Sequence, residues 1–397
     1  MKPLHAACAR GDLETVKRLL SQPGENVNAR DRDGFPPLFY ATGHLPLFQY
    51  LVQDAGADVE LLGHSNRTIV HVAAHNGQLP VIQWLFESYC GGKQAPNDSF
   101  CGFFGRIDHF RETALHYAAQ RGNLTMVKYL VEVVRINILE KNWRNSTVLD
   151  VARQESILVY LQSLQDLYVA CTNGNHIEVL RLLQAGVYAQ FAVNRTGDQL
   201  IHVVAESGDV QMAQLLQQYG NVEIDARDIR GITPLYNAIK KGNDEMVHWL
   251  CKQGALVDAK TDFYLQSTPL AVAVSRGQCE TARILLDFGA DIHYRIPAHS
   301  NFSALHEACS DGNLPLVQIL FQRGGATLFM HRDNEGCLPL HWACRHGHIH
   351  TVQFLLSHGH IVLESGDWIR ALKMANAGGH ADIMKLLLVP RIVELTK

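Results

Sequence analysis

The 397-residue sequence predicts an all-α solenoid of helix–turn–helix repeats, and three observations carry that prediction. A glycine followed by a polar residue recurs at Gly11, Gly77, Gly122, Gly174, Gly208, Gly242, Gly277, Gly312, Gly347 and Gly379. From Gly174 onward it recurs after 34, 34, 35, 35, 35 and 32 residues. A short apolar segment precedes each glycine, and a segment with helical apolar spacing follows it. Val127, Leu130 and Val131 after Gly122 are one example, and Val352, Leu355 and Leu356 after Gly347 another.

The first helix of each unit carries its own signature. It reads T-A-L-H-Y-A-A from Thr113 to Ala119, T-P-L-Y-N-A-I from Thr233 to Ile239 and T-P-L-A-V-A-V from Thr268 to Val274. It returns as S-A-L-H-E-A-C from Ser303 to Cys309, as L-P-L-H-W-A-C from Leu338 to Cys344 and as P-L-H-A-A-C at Pro3. The Thr or Ser is placed to cap the helix, and Pro is tolerated in its first turn. Leu faces the core, and the alanines let neighbouring helices approach closely. The glycine supplies the positive backbone angle that ends the helix. A trailing G-A-D follows at Gly56-Ala57-Asp58 and Gly289-Ala290-Asp291.

This signature resembles the ankyrin T-P-L-H-x-A-A pattern, and the resemblance covers roughly residues 1 to 388. It implies an ankyrin-repeat solenoid with β-hairpin fingers between the helix pairs and about 11 or 12 repeats. It also implies that the signature histidine bonds the finger backbone. Finally, it implies a protein or peptide ligand held by the concave groove and the finger loops.

Several units depart from the pattern. The second repeat keeps Pro37-Leu38 but is short around Gly43-His44, and the third is followed by an insertion over residues 91–110. A repeat opens as T-V-L-D-V-A at Thr147, lacks its glycine and has a curtailed second helix. The next unit, Leu167 to Leu183, has no T-P-L-H finger, and its L-Y-V-A-C-T-N-G-N compares with L-H-A-A-C-A-R-G-D at Leu4 to Asp12. Two stacked arrays are therefore expected, residues 1–163 and 164–397. The last unit, Ala371 to His380, reads as a C-terminal cap with Lys373 and Lys385 on its wettable face.

Composition narrows the function. Hydrophobic residues make up 47% and charged residues 19%, which is too apolar for disorder. A net charge of −4 gives no support to a nucleic-acid partner. No apolar run is long enough to span a membrane, and Met1-Lys2-Pro3-Leu4-His5 enters repeat sequence with no room for a signal peptide. The nine cysteines are scattered singly, without a C-x-x-C pair. Free thiols, a reducing cytoplasmic location and a monomer are expected. Cys8, Cys171, Cys309 and Cys344 share one register and read as small buried residues.

No catalytic, cofactor or metal assignment emerges. His5, His71, His116, His202, His306 and His341 all occupy the signature register. The cluster His346, His348 and His350 alternates, but no H-E-x-x-H and no paired cysteine accompanies it. No P-loop, kinase, G-x-S-x-G or dinucleotide motif is present. The expected function is a non-enzymatic scaffold or adaptor. The alternatives are a regulatory or host-directed effector, and an enzyme with an atypical site at the insertion or the Cys/His-rich end.

The surface supplies the candidate binding residues. Residues just before the central glycine face the groove in this family, which nominates Lys240, Lys241, Arg276, Asp311, Arg345 and His346. The finger positions carry Phe35, Trp143, Phe263, Tyr264, Phe302 and Trp368. Exposed aromatics and arginines are what interface hot spots are made of. The insertion carries Phe100, Phe103, Phe104 and Phe110, which either tuck onto the neighbouring repeats or contact a partner.

Overall fold

A computed structural model describes residues 2–90, 101–261, 266–297, 299–358 and 363–395. They form an all-α ankyrin solenoid. Among the described residues the helices fall into twelve successive pairs, from Pro3–Arg10 with Leu13–Leu20 to Ser365–Ala377 with Ala381–Leu395. The described residues divide into two compact units. The first comprises Met1–Ile201 with Gln211–Glu223 and Arg227–Ile229; the second comprises His202–Val210, Ile224–Ala226 and Arg230–Lys397.

Ten of the twelve pairs are divided by one of the recurring glycines and the polar residue after it. The central glycine adopts a left-handed conformation at all ten recurring positions, with φ between 67° and 83°, and so stops the first helix. In four pairs the polar residue after it caps the second helix. Asp12, Asn123, Asn175 and Asn313 each accept a backbone N–H three residues on, at 3.0–3.2 Å. The signature alanines Ala7, Ala73, Ala118, Ala238, Ala273, Ala308 and Ala343 are fully buried where first helices adjoin. A larger side chain there would hold the helices apart.

The fingers are mostly turns and not strands. Among the described residues the one ladder is Arg295–Ile296 with Phe302–Ser303, and Ala192 and Gln199 form an isolated bridge. Elsewhere a five-residue turn closes on itself: Asp31 N to Phe35 O, Asp108 N to Glu112 O, Asn142 N to Ser146 O and Asp333 N to Cys337 O, at 2.9–3.1 Å. The carboxylate or amide of the first residue accepts two further N–H groups within the same turn, as Asp31 does from Asp33 and Phe35. These self-satisfied turns are too short to extend into hairpins.

The boundary expected at residue 163/164 falls inside one 18-residue helix, Glu155–Thr172. With no glycine between Thr147 and Gly174, nothing stops the second helix of the fifth pair. It runs on as the first helix of the sixth, presenting Ile157, Leu161, Leu164, Leu167 and Cys171 as one buried stripe. The sixth pair has no finger of its own. Arg195 of the next finger reaches past the gap to the buried Glu140, and its guanidinium holds that carboxyl below the usual carboxylate range.

Candidate protein-interaction surface

The signature histidines are structural. His5, His71, His202 and His306 each place Nε2 3.0–3.1 Å from the carbonyl that precedes the next first helix: Phe35, Glu112, Ile232 and Cys337. His341 instead meets the Asp367 carbonyl, inside the first turn of the next first helix, at 3.0 Å. On the other side of the ring, Nδ1 of His71, His116, His306 and His341 accepts the N–H of the residue that opens its own helix, at 2.9–3.2 Å. Burial pushes His71 down to about 4 and lowers His116, His306 and His341. In His71, His306 and His341 both ring nitrogens are committed to backbone partners, which leaves those neutral rings no lone pair for a metal.

The thiols in the same register are equally inert. Cys8 and Cys344 are pushed up to about 12 by burial, and Cys309 is raised further by the same cause. At the histidine-rich end His346 and His348 stack with centroids 6.3 Å apart. His346 stacks on Trp342, while His348 Nε2 lies 2.8 Å from the Ser310 carbonyl. Among the described residues no group of three or more His, Cys, Asp or Glu is placed to hold a metal.

The groove register behaves differently. Lys240, Lys241, Arg276, Asp311, Arg345 and His346 are all exposed at the ends of first helices that lie side by side in the second unit. Lys241 is held by Glu206 at 2.8 Å, and Arg345 lies over the Trp342 ring at 5.2 Å. The indole N–H of Trp342 donates to Asp333, which fixes that platform.

Two of the finger candidates, Phe263 and Tyr264, lie outside the described residues, as does Phe100 of the insertion. Phe302 is a correction: it is only 5% exposed. It sits in the one strand pair and packs on His299, His306 and Trp342 with ring centroids 4.8–5.2 Å apart, so it stiffens the finger and offers no anchor. The insertion divides. Phe103 and Phe104 are buried as part of the first unit's core, with Phe104 edge-on to Phe86 at 5.7 Å. They are therefore not available to a partner. Phe110 remains 38% exposed at the groove edge.

The first unit contains two adjoining hollows that the sequence reading did not nominate. One, of about 380 Å³, is lined by residues including Phe35, Phe39, Tyr40, His71 and Tyr117. The other, of about 710 Å³, is lined by residues including Phe110, Trp143, Arg144 and Arg153. Arg67, His75 and Tyr117 line both. A legible signal existed: set against A-A-Q-R-G at Ala118 to Gly122, the second repeat's A-T-G at Ala41 to Gly43 is two residues short.

Comparison with known proteins places these features in a family. A model described as ankyrin repeats (three copies) matches residues 1–62, 70–164, 167–261, 201–296, 270–365 and 305–395, and a second ankyrin-repeat model matches 41–86. The chain belongs to the ankyrin-repeat family, whose members are in general protein-interaction modules. Alpha-latrotoxin-Lg1a of Latrodectus geometricus is 33% identical over 87 residues, 22% of this chain and 6% of the toxin. Probable 26S proteasome regulatory subunit p28 of Saccharomyces cerevisiae is 35% identical over 99 residues, 24% of this chain and 41% of that protein. An ankyrin repeat-containing protein of Schizosaccharomyces pombe is 29% identical over 87 residues, 21% of this chain and 37% of that protein. The chain thus matches well under half the length of these relatives. Among the described residues no helix is long and apolar enough to cross a membrane.

Proposed function

We propose that the chain is a non-enzymatic scaffold of a reducing compartment, and that its second unit holds an acidic segment of a partner protein along the groove. The observation that carries this reading is the pair of positions just before the central glycine: Lys240 and Arg345 stand two residues before it, Lys241 and Arg276 one residue before it, and all four are exposed cations at the ends of first helices in the second unit. Among the described residues Lys240 and Arg276 make no ion pair, so their charge is free to meet a ligand; Lys241 shares its charge with Glu206. Asp311 interrupts the row, which favours a ligand of mixed charge over a uniformly acidic one. Exposed cations act mainly on association rate and its salt sensitivity. The Arg345–Trp342 stack supplies the apolar contact that a purely ionic surface lacks.

The test is affinity capture with the whole chain, followed by titration of the captured partner. The triple change Lys240→Glu, Lys241→Glu and Arg276→Glu should weaken binding at least tenfold, about 1.4 kcal/mol. The loss should be smaller at high salt. Binding that survives the triple change at low salt sinks the groove assignment.

A further inference from the structure

We infer that the hollow in the first unit is a receptor for one large apolar side chain, carried on a partner segment whose acidic residues follow along the neighbouring cations. This goes beyond the groove reading above and concerns a different unit of the chain.

The hollow arises from a deletion. The first helix of the second repeat is a single α-turn, Pro37–Tyr40, continued by the 3₁₀ turn Ala41–Gly43, where the helix Ala114–Arg121 runs eight residues. The two missing residues are those that elsewhere stand just before the glycine, on the groove side. The hollow beside this short helix is lined by Phe35, Phe39 and Tyr40 of the short repeat and Tyr117 two repeats on; Phe39 and Tyr117 are buried in its walls, and Phe35 and Tyr40 are half-buried.

The walls are held rigidly. Tyr40 donates to Asp31 and Tyr117 to Asp108, each at 2.7 Å and each nine residues back in the chain. Phe35 packs on Phe39 with centroids 5.7 Å apart. A preformed aromatic hollow of about 380 Å³ falls in the range of ligand sites and exceeds what a packed core leaves empty. It suits one bulky apolar group, and its fixed walls add no ordering cost on binding.

Charge identifies the rest of the occupant. Arg67 lies over the Tyr117 ring at 5.0 Å where the two hollows meet, and Arg144 and Arg153 are exposed around the second. The nearby carboxylates are hydrogen-bonded within the unit. Asp108 accepts from Phe110 N, Glu112 N and Tyr117 Oη and pairs with Arg67; Glu112 accepts from Gln120 and Asn142. Asp150 caps Thr147. Asp108 is buried and paired with Arg67, Glu112 and Asp150 accept from neutral donors of the same unit, and Arg144 and Arg153 are the exposed cations at the rim. The apolar anchor and the Arg144–Arg153 pair are two first helices apart. That is about 20 Å at the usual interhelical spacing, or roughly six residues of extended chain.

The experiment pans a display library of random twelve-residue peptides on the whole chain. The same library is panned on two variants that fill the hollow from exposed rim positions, Ala9→Trp and Asn76→Trp. Circular dichroism and melting confirm that each is folded. Peptides selected by the unmodified chain should share one Trp, Phe, Leu or Met and two or more Asp or Glu within about six residues of it. Their synthetic counterparts should bind at least tenfold more weakly to whichever rim variant folds, and to the Arg144→Glu, Arg153→Glu double variant. Selected peptides that bind the filled variants equally well overturn the inference. So do selected peptides without acidic residues, or a chain that selects nothing and sediments as a dimer, which would assign the hollow to a second copy. The Lys240, Lys241 and Arg276 reversal should leave these peptides bound, so the outcome is separable from that of the second-unit groove.

Discussion

The imidazole of His71 takes the amide N–H of Thr68 at Nδ1 and faces the Glu112 carbonyl through Nε2. Only the neutral ring can accept on one side and donate on the other, and a second proton would break the first bond. The same holds for His306 and His341, and for all three the native ring protonates less readily than the unfolded one. At pH 5 the unfolded chain therefore binds protons that the folded chain does not, and acid favours unfolding. Stability should be flat above about pH 6.5 and fall as the pH drops below it; His71 alone contributes a slope of about 1.4 kcal/mol per unit down to about pH 4, and His306 and His341 add losses of the same sign. Urea midpoints measured across that window test this, since paired carboxylates such as Glu140 titrate lower. A midpoint unchanged from pH 7 to pH 5 would show that the rings are hydrated or already charged. The framework role of these residues was legible from their shared register. The hydrogen-bond partner was not, because the carbonyl lies 26 to 41 residues away across a finger of variable length.

At the scale of the element, the glycine and polar residue at each helix junction made the pairs legible, since a left-handed stop and a cap are local properties. Equivalent glycines are nonetheless unequal. At Gly174 a Cβ would meet nothing, whereas at Gly312 it would fall on the His348 ring. Gly174→Ala should cost about 1–2 kcal/mol, the backbone penalty alone. Gly312→Ala should cost more, because His348 must also give up its contact with the Ser310 carbonyl. Thermal melts of the two variants decide this, and equal losses would mean that His348 moves aside freely. Where the glycine is missing, after Thr147, the truncated repeat was legible but the fused helix Glu155–Thr172 was not. A missing stop signal looks the same in sequence as a missing helix. The phenylalanines of the insertion were ambiguous for a related reason: composition does not say whether a ring at a loop edge finds a core, and Phe103 and Phe104 do.

Across the whole molecule, each helix pair leans on its immediate neighbours, and damage should stay local. Ala118 is fully buried between first helices, so Ala118→Arg places an unpaired charge in the core and should cost several kcal/mol. Amide exchange should accelerate through residues 69–152 while 304–346 keeps its native protection. Acceleration spread evenly over the chain would mean that the repeats unfold as one body. The repeat architecture itself was legible because it is a property of period, repeated many times. The binding surface was legible in part: the cationic register in the second unit follows from spacing, whereas the hollow of the first unit depends on two residues that are not there.

That deletion bears on how such a chain acquires new ligands. Changing a groove residue alters the texture of a surface that already exists. Shortening one first helix by a half-turn changes the topography and leaves the neighbouring units in register. Affinity for a bulky group can then be gained or lost by insertion and deletion, a form of variation that alignment scoring penalises as a defect and that reinsertion of two residues between Thr42 and Gly43 would reverse.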